Sequence, residues 1–146
     1  SIQNKLPMEI FVTTPVLEGI KLSGSGNITS DYFLSDEMDV LLSGSGKIST
    51  AFETDEADVN ISGSGKIELS GFAQKADFRI SGSGNIDATD LTTIDSNSST
   101  SGSGDMWLSI ERSLKANISG SGNVYYFGEP TIETHISGSG NVMNQN

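Results

Sequence analysis

Three aspartates recur at one position of a repeat and are the residues best suited to acid chemistry. Asp39, Asp58 and Asp77 each lie four residues before a Ser-Gly-Ser-Gly tetrapeptide, so 19 residues separate successive members. Carboxylates stacked on one outer face suit a weak calcium site or a glycosidase-like pair, which needs two carboxyl groups about 5–9 Å apart. The alternative, which we favour, is a solvated acidic face that Lys75 and Arg79 partly balance.

Other residue types give little support to metal binding or nucleophilic chemistry. A calcium-binding β-roll would place aspartates after each tetrapeptide, whereas that position holds Asn27, Lys47, Lys66, Asn85, Asp105, Asn123 and Asn141. The chain has no cysteine, which excludes disulfides and thiolate metal sites. Its single histidine, His135, has no assigned partner. We therefore predict no catalytic residues, no bound metal and no cofactor.

A different set favours recognition of a ligand. Trp107, Tyr125 and Met143 stand six residues after the start of three successive tetrapeptides, at an offset that faces outward. They would form an exposed apolar stripe near the C-terminal end, and such stripes mark interaction sites. Aromatic side chains suit sugar rings or protein partners. The alternative is that a loop or a second subunit covers the stripe.

The elements that position these residues follow from the tetrapeptide itself. It occurs seven times, starting at Ser23, Ser43, Ser62, Ser81, Ser101, Ser119 and Ser137. Around each copy apolar residues hold odd offsets and polar residues even ones, a period of two that predicts strands with one buried face. A tight repeat of strands predicts an all-β, right-handed parallel β-helix of about seven coils of ~19 residues.

We expect one domain over residues 1–146, with an initiating strand or partial coil at 1–19 and the seven coils at 20–146. The chain should bend at the paired glycines, and both glycines of each pair should face inward. Large apolar residues in the second half of the coil, such as Phe52 and Phe72, would fill the space opposite them. The predicted bends lie at Gly24, Gly26, Gly44, Gly46, Gly63, Gly65, Gly82, Gly84, Gly102, Gly104, Gly120, Gly122, Gly138 and Gly140.

The amino-acid composition disfavours some classes of binding partner. The formal net charge is −11, with 8 Lys and Arg against 19 Asp and Glu, so nucleic acid and anionic membranes are disfavoured. No apolar run approaches the ~18 residues of a transmembrane helix. An uncovered final coil would expose strand edges, so we expect a homo-oligomer or dimer.

The tetrapeptides and their flanks resemble a known family. Leu22–Ile28, Ile80–Ile86 and Ile118–Val124 share an apolar-Ser-Gly-Ser-Gly-Asn-apolar pattern, and both Ile10–Leu17 and Gly122–Pro130 are similar to the head GIN domain family of auto-transporter adhesins. The resemblance implies a β-helix, a signal peptide in the precursor, and a secreted, periplasmic or cell-surface location. The family usually carries further strands before the region of Pro15, so the resemblance implies that this sequence is a fragment or a short member.

The sequence and the resemblance together predict a non-enzymatic adhesin or binding protein. It would engage a glycan or a cell-surface protein of the host through a lateral face of the β-helix. One alternative is a polysaccharide-active enzyme that uses the aspartate face, and another is a structural envelope scaffold that self-associates.

Overall fold

The described strands form a solenoid in which each pair is parallel. The computed structural model describes residues 2–4, 9–12, 19–30 and 33–145. Its strands are β1 (Ile2–Asn4), β2 (Glu9–Val12), β3 (Gly19–Gly24), β4 (Asn27–Ser30), β5 (Phe33–Gly44), β6 (Lys47–Gly63), β7 (Lys66–Gly82), β8 (Asn85–Gly102), β9 (Met106–Gly120), β10 (Val124–Phe127), β11 (Thr131–Gly138) and β12 (Val142–Asn144).

Each coil lies on the previous one in register. The main path of the sheet runs β1-β3-β5-β6-β7-β8-β9-β10-β12, while β2 and β6 flank β4, and β11 pairs with β9. The predicted all-β parallel solenoid is confirmed, with about six turns rather than seven. The difference arises because seven tetrapeptides mark seven corners, and seven corners enclose six complete turns.

The N-terminal residues join the stack where they are described. Strand β1 pairs with β3, and β2 pairs with β4, so both continue the coil register. Strand β2 (Glu9–Val12) lies within the segment 1–19, for which an initiating strand or partial coil stays a prediction. Residues 13–18, which carry part of the family resemblance, lie outside the described residues.

The two glycines of each tetrapeptide have different roles, which corrects the expectation that both face inward. The first has a positive φ, between 106° at Gly24 and 127° at Gly138, and is exposed or half-buried. That backbone region favours glycine, and it turns the chain at the corner. The second is buried in all seven copies. Only the second glycine thus faces the core.

Alternation of side chains produces one continuous core. The residue just before each tetrapeptide is buried in six successive coils, as Leu22, Leu42, Ile61, Ile80, Thr100 and Ile118. The polar stretch before the fifth tetrapeptide keeps this arrangement, because β8 pairs with β9 residue by residue from Asp95 to Gly102. It does so by burying Ser98 and Thr100, whose hydroxyl groups have no hydrogen-bond partner.

The extra residues of the longer coils lie away from the corner at the tetrapeptide. The constant spacing of residues around each tetrapeptide predicted this. The register shifts between Glu68 and Ser70 in β7, and between Ala88 and Thr92 in β8. Near the first shift, Gly71 rather than Phe72 takes the place in line with Phe52 and Leu91. The expectation that Phe72 fills the core is wrong, since its side chain is only half-buried.

Candidate functional site

Two aromatic rings stack on the outer face of the C-terminal coils. Met106 and Leu108 of β9 are buried, as are Val124 and Tyr126 of β10, so the residues between them, Trp107 and Tyr125, project outward. Trp107 and Tyr125 are paired in register, and their ring centroids lie 5.3 Å apart with an interplanar angle of 15°. Met143 of β12 is paired with Tyr125. We call Trp107, Tyr125 and Met143 the aromatic stripe.

The stripe is half-buried rather than fully exposed, because each ring covers part of its neighbour. Stacking occupies the face of Trp107 that is turned to Tyr125. On its other side Trp107 is in register with Asp87, whose side chain is much shorter. The stripe therefore does not present a wide flat surface, and the remaining face of the indole is directed towards the coil of Asp87.

A small cleft lies on that side of Trp107. It has a volume of about 220 Å³ and is lined by Lys66, Asn85, Asp87, Thr89 and Trp107. We call it the Trp107 cleft. Asp87 Oδ1 accepts a hydrogen bond from the backbone N–H of Thr89 at 3.2 Å, which orients the carboxylate. The cleft thus combines one aromatic face with several hydrogen-bonding side chains.

A cluster of charged side chains on the two preceding coils borders the cleft. Glu68 is in register with Asp87, and its Oε1 lies 2.8 Å from Lys47 Nζ and 3.5 Å from Lys66 Nζ. The hydrogen bond from Lys47, together with the charges of both lysines, lowers the pKa of Glu68 below its ordinary value. A negative Glu68 holds Lys66 at the edge of the cleft.

The three predicted aspartates do form a ladder. Asp39, Asp58 and Asp77 are in register on β5, β6 and β7, and the ladder continues through Asn97 and Lys115. Asn97 Nδ2 donates a hydrogen bond of 2.9 Å to Asp77 Oδ1. Whether these acids bind or catalyse stays a prediction.

The aspartate ladder forms one wall of a groove parallel to the solenoid axis. The groove has a volume of about 470 Å³, and Ala57, Ala76 and Ser96 form its floor. Its lining is mixed in charge, with acids on both walls and two lysines. We call it the axial groove. The lining residues are Glu56, Ala57, Asp58, Lys75, Ala76, Asp77, Asp95, Ser96, Asn97, Ser113, Leu114, Lys115, Thr131 and Glu133.

Burial and then the negative charges of Asp77 and Asp39 raise the pKa of Asp58 above its ordinary value of 3.8. A carboxyl group whose pKa is raised by folding favours the folded state below the unfolded pKa and loses this contribution as pH rises through the folded pKa. We therefore expect Asp58→Asn to stabilise the protein at pH 7 by a fraction of 1 kcal/mol, because solvent screens these exposed charges. The gain should shrink as the pH falls below about 4.

Urea unfolding at pH 7 and pH 3 measures this effect, with Asp55→Asn as the matched control. Asp55 is also exposed but lies outside the ladder. The control should change the free energy of unfolding less at both pH values. An Asp58→Asn variant that is less stable than the parent at pH 7 would contradict the argument.

Two polar clusters were missed by sequence reasoning. Arg112 and Ser113 both donate hydrogen bonds to Asp95, with Arg112 Nε to Oδ1 at 2.9 Å and Ser113 Oγ to Oδ1 at 2.6 Å. These bonds, first that of Arg112, lower the pKa of Asp95 to about 2. The available signal was the shared position of Asp95 and Ser113, each six residues before a tetrapeptide, which places the two residues in register.

The second missed cluster is a ladder of Asn and Asp side chains directly after the tetrapeptides. The backbone N–H groups of Asp105, Asn123 and Asn141 donate to the side-chain oxygens of Asn85, Asp105 and Asn123 at 3.0, 2.9 and 3.1 Å. These bonds link successive coils, which gives Asn and Asp a structural reason to recur at this position.

Elements of chemical catalysis are sparse in the described residues. His135 Nε2 lies 3.1 Å from Glu133 Oε1, a partner two residues away on the same strand face. Among the residues that the structure describes, no group of three or more His, Cys, Asp or Glu side chains is placed to hold a metal ion. The described part of the chain also contains no helix long and apolar enough to cross a membrane.

The fold defines a parallel β-solenoid repeat protein, and two stacked aromatic rings lie on its outer face. The chain belongs to the family described as putative auto-transporter adhesin, head GIN domain, which matches residues 1–130. The resemblance seen in the sequence is thus confirmed. Membership favours a cell-surface or secreted location. No curated protein matches the chain.

Solved structures of similar proteins support the same assignment. A putative lipid binding protein from Parabacteroides distasonis superposes with a TM-score of 0.93 and 27% identity over 99% of this chain and 61% of its own. A putative adhesin from Bacteroides fragilis gives 0.83 and 30% over 88% and 60%, and one from Parabacteroides merdae gives 0.89 and 26% over 99% and 62%. The chain therefore spans about three fifths of these relatives.

Proposed function

We propose that this protein is a non-enzymatic adhesin domain that binds a saccharide unit of a glycan at the Trp107 cleft. It acts at the cell surface, in the periplasm or after secretion. The observation that carries the proposal is the free face of Trp107, opposed by Asp87 and bordered by Asn85, Thr89 and Lys66. Sugar rings present C–H groups that pack on an aromatic face and hydroxyl groups that need hydrogen-bonding partners.

The size of the cleft limits the ligand. About 220 Å³ is below the ~300–1,000 Å³ of drug-sized ligand pockets, so the cleft suits one saccharide unit rather than a buried oligosaccharide. The carboxylate of Asp87 accepts hydrogen bonds from hydroxyl groups, whereas Lys66 donates them. Tyr125 and Met143 lie beyond Trp107 on the stripe and support the indole from its other side.

A glycan and host-matrix array tests the proposal with two variants of the cleft. Trp107→Ala removes the aromatic face, and Asp87→Ala removes the opposing acceptor. We expect each to weaken binding by about tenfold or more, the equivalent of one good aromatic or charged contact. Asp58→Asn is the matched control, since it lies in the axial groove and should bind like the parent.

Each result has a defined meaning once circular dichroism shows that the variants fold. Binding by the parent and the control, with loss in both cleft variants, supports the proposal. Loss in Asp58→Asn but not in Trp107→Ala would move the site to the axial groove. No binding by any form would leave the adhesin proposal without support.

A second candidate function rests on the axial groove. Asp58 has a raised pKa and its neighbour Asp77 is in register with it, a pairing of carboxyl groups that suits acid and base roles in glycoside cleavage. Turnover of a polysaccharide that is lost in Asp58→Asn and retained in Trp107→Ala would favour this enzyme. The family is described as putative adhesins, which favours adhesion, so we rank the enzyme second.

A further inference from the structure

A further cleft lies on the side of the solenoid and is lined by two cationic side chains. It has a volume of about 350 Å³ and spans the strands β7, β8 and β9. Coils lie on both sides of it, because Asn60 precedes Arg79 in register and His135 follows Asn117. We call it the Arg79 cleft. Its lining residues are Asp77, Phe78, Arg79, Asn97, Ser98, Ser99, Lys115 and Asn117.

Register divides the polar lining into two walls that run along the solenoid axis. The walls are the ladder of Arg79, Ser99 and Asn117 and the ladder of Asp77, Asn97 and Lys115. The side chains of Phe78 and Ser98, between the walls, are buried, so the backbone of β7 and β8 forms the floor. Positive charge therefore reaches the cleft from both walls.

The two cations of the cleft have no ion pair among the described residues. Arg79 and Lys115 are both exposed, and neither takes part in any of the four ion pairs found there. Glu133 is in register with Lys115 but contacts His135 instead, at 3.1 Å. Two cations thus lie across one cleft in a chain whose formal net charge is −11.

We propose that the Arg79 cleft binds an acidic saccharide unit, one whose ring carries a carboxylate or sulfate group. The guanidinium of Arg79 offers a fork of N–H donors that fits such a group, and Lys115 adds a point charge from the opposite wall. Ser99 and Asn117 supply hydroxyl and amide groups for the hydroxyl groups of the ring. A volume of about 350 Å³ is near the lower end of small-ligand pockets, which suits one or two sugar rings.

Acids on both sides of the cleft restrict the ligand to an isolated negative charge. Asp77 lines the cleft and accepts a hydrogen bond from Asn97, Asp58 lies one coil before Asp77, and Glu133 lies one coil after Lys115. A polyanion laid along the axis would bring its next charges against these carboxylates, whereas neutral sugars would not be repelled. The cleft therefore favours an acidic unit within an otherwise neutral glycan over a contiguous polyanion.

Titration of the full chain with disaccharides, followed by NMR amide shifts, tests the proposal. The probes are a disaccharide of glucuronic acid and glucose, a sulfated counterpart, the neutral counterpart and inorganic sulfate. We expect at least one acidic disaccharide to bind at least tenfold more tightly than the neutral one, with shifts concentrated at Ser99 and Asn117. Binding should weaken as the salt concentration rises.

Removal of single charges locates the site. Arg79→Gln and Lys115→Gln should each weaken binding of the acidic disaccharide by about tenfold, because each removes one charged contact. Lys21→Gln is the matched control: Lys21 is exposed and lies in the ladder of Arg79, three coils away, roughly 14 Å. Asp77→Asn should strengthen binding, since it removes the one carboxylate of the lining.

The outcomes separate this site from a general effect of charge. Binding by the parent and Lys21→Gln, with loss in both cleft variants, supports the proposal. Equal losses in all three variants would overturn it, and so would equal binding of the neutral disaccharide or no binding of either acidic one. Inorganic sulfate that binds as tightly as the acidic disaccharides would overturn the assignment to a saccharide. Trp107→Ala should bind the acidic disaccharide like the parent, so failure here is distinguishable from failure at the Trp107 cleft.

Discussion

Gly84→Ala should lower the free energy of unfolding by about 3 kcal/mol, the upper end of what overpacking a core costs. A Cβ atom at Gly84 would lie 2.6 Å from the carbonyl oxygen of Gly65 and 2.6 Å from Ile61 Cγ2. The carbonyl cannot retreat, because Asn85 N donates a hydrogen bond to it at 3.1 Å. The clash therefore pushes two coils apart, and it does so in the middle of the stack.

The two residues before Gly84 supply a control, Ser83, and a parallel test, Gly82. Ser83→Ala should change stability by less than about 0.5 kcal/mol, since Ser83 is exposed and contributes its backbone N–H to the corner. Gly82→Ala should be as damaging as Gly84→Ala, because φ at Gly82 is 115° and a Cβ atom would lie 2.6 Å from the carbonyl oxygen of Gly63. Urea unfolding followed by circular dichroism measures all three. If Gly84→Ala matched Ser83→Ala, the tight stacking of glycines would be wrong.

The sequence predicted the ladders because a parallel solenoid repeats its register. Asp39, Asp58 and Asp77 share an offset from the tetrapeptide, and that offset became a shared register in the structure. The same reasoning placed Tyr125 beside Trp107. It could not separate the roles of the two glycines, because a period of two does not contain the change in φ that turns each corner.

Two features were missed even though register can be counted from the tetrapeptides. Phe72 stands ten residues after the start of its tetrapeptide and Phe52 only nine, so the unshifted register between β6 and β7 places Gly71 in line with Phe52. Asp95 is paired in register with Ser113 rather than with Arg112, so its bond to Arg112 depends on the direction of the arginine side chain. Register predicts which residues share a ladder, but it does not predict which side chains meet between ladders.

The Trp107 cleft and the axial groove could not be predicted from register alone. The Trp107 cleft depends on how the indole stacks on Tyr125, which decides the face of Trp107 that stays open. The axial groove depends on small inward residues, Ala57, Ala76 and Ser96, at its floor. Their small size was visible in the sequence. Its consequence for the outer surface follows only from the path of the backbone.

Phe78→Ala should cost about 3–5 kcal/mol of unfolding free energy, the range for removal of a buried aromatic side chain. Phe78 is 1% exposed and lies between Val59 and Ser98 in its ladder. Ser98 and Ala116 beyond it are too small to fill the space that the ring leaves. Because the coil of Phe78 is covered on both sides, the cavity cannot collapse easily. Urea unfolding of the variant against the parent measures the loss.

Ile132→Ala is the matched control on β11, which is covered on one side only among the described strands. Ile132 is 37% exposed, so truncation of its side chain in a monomer removes less buried area and should cost less than about 1 kcal/mol. The contrast follows from the physics of a solenoid, in which each coil is stabilised by its two neighbours and a terminal coil has one. A loss for Phe78→Ala no greater than that for Ile132→Ala in dilute solution would contradict this account.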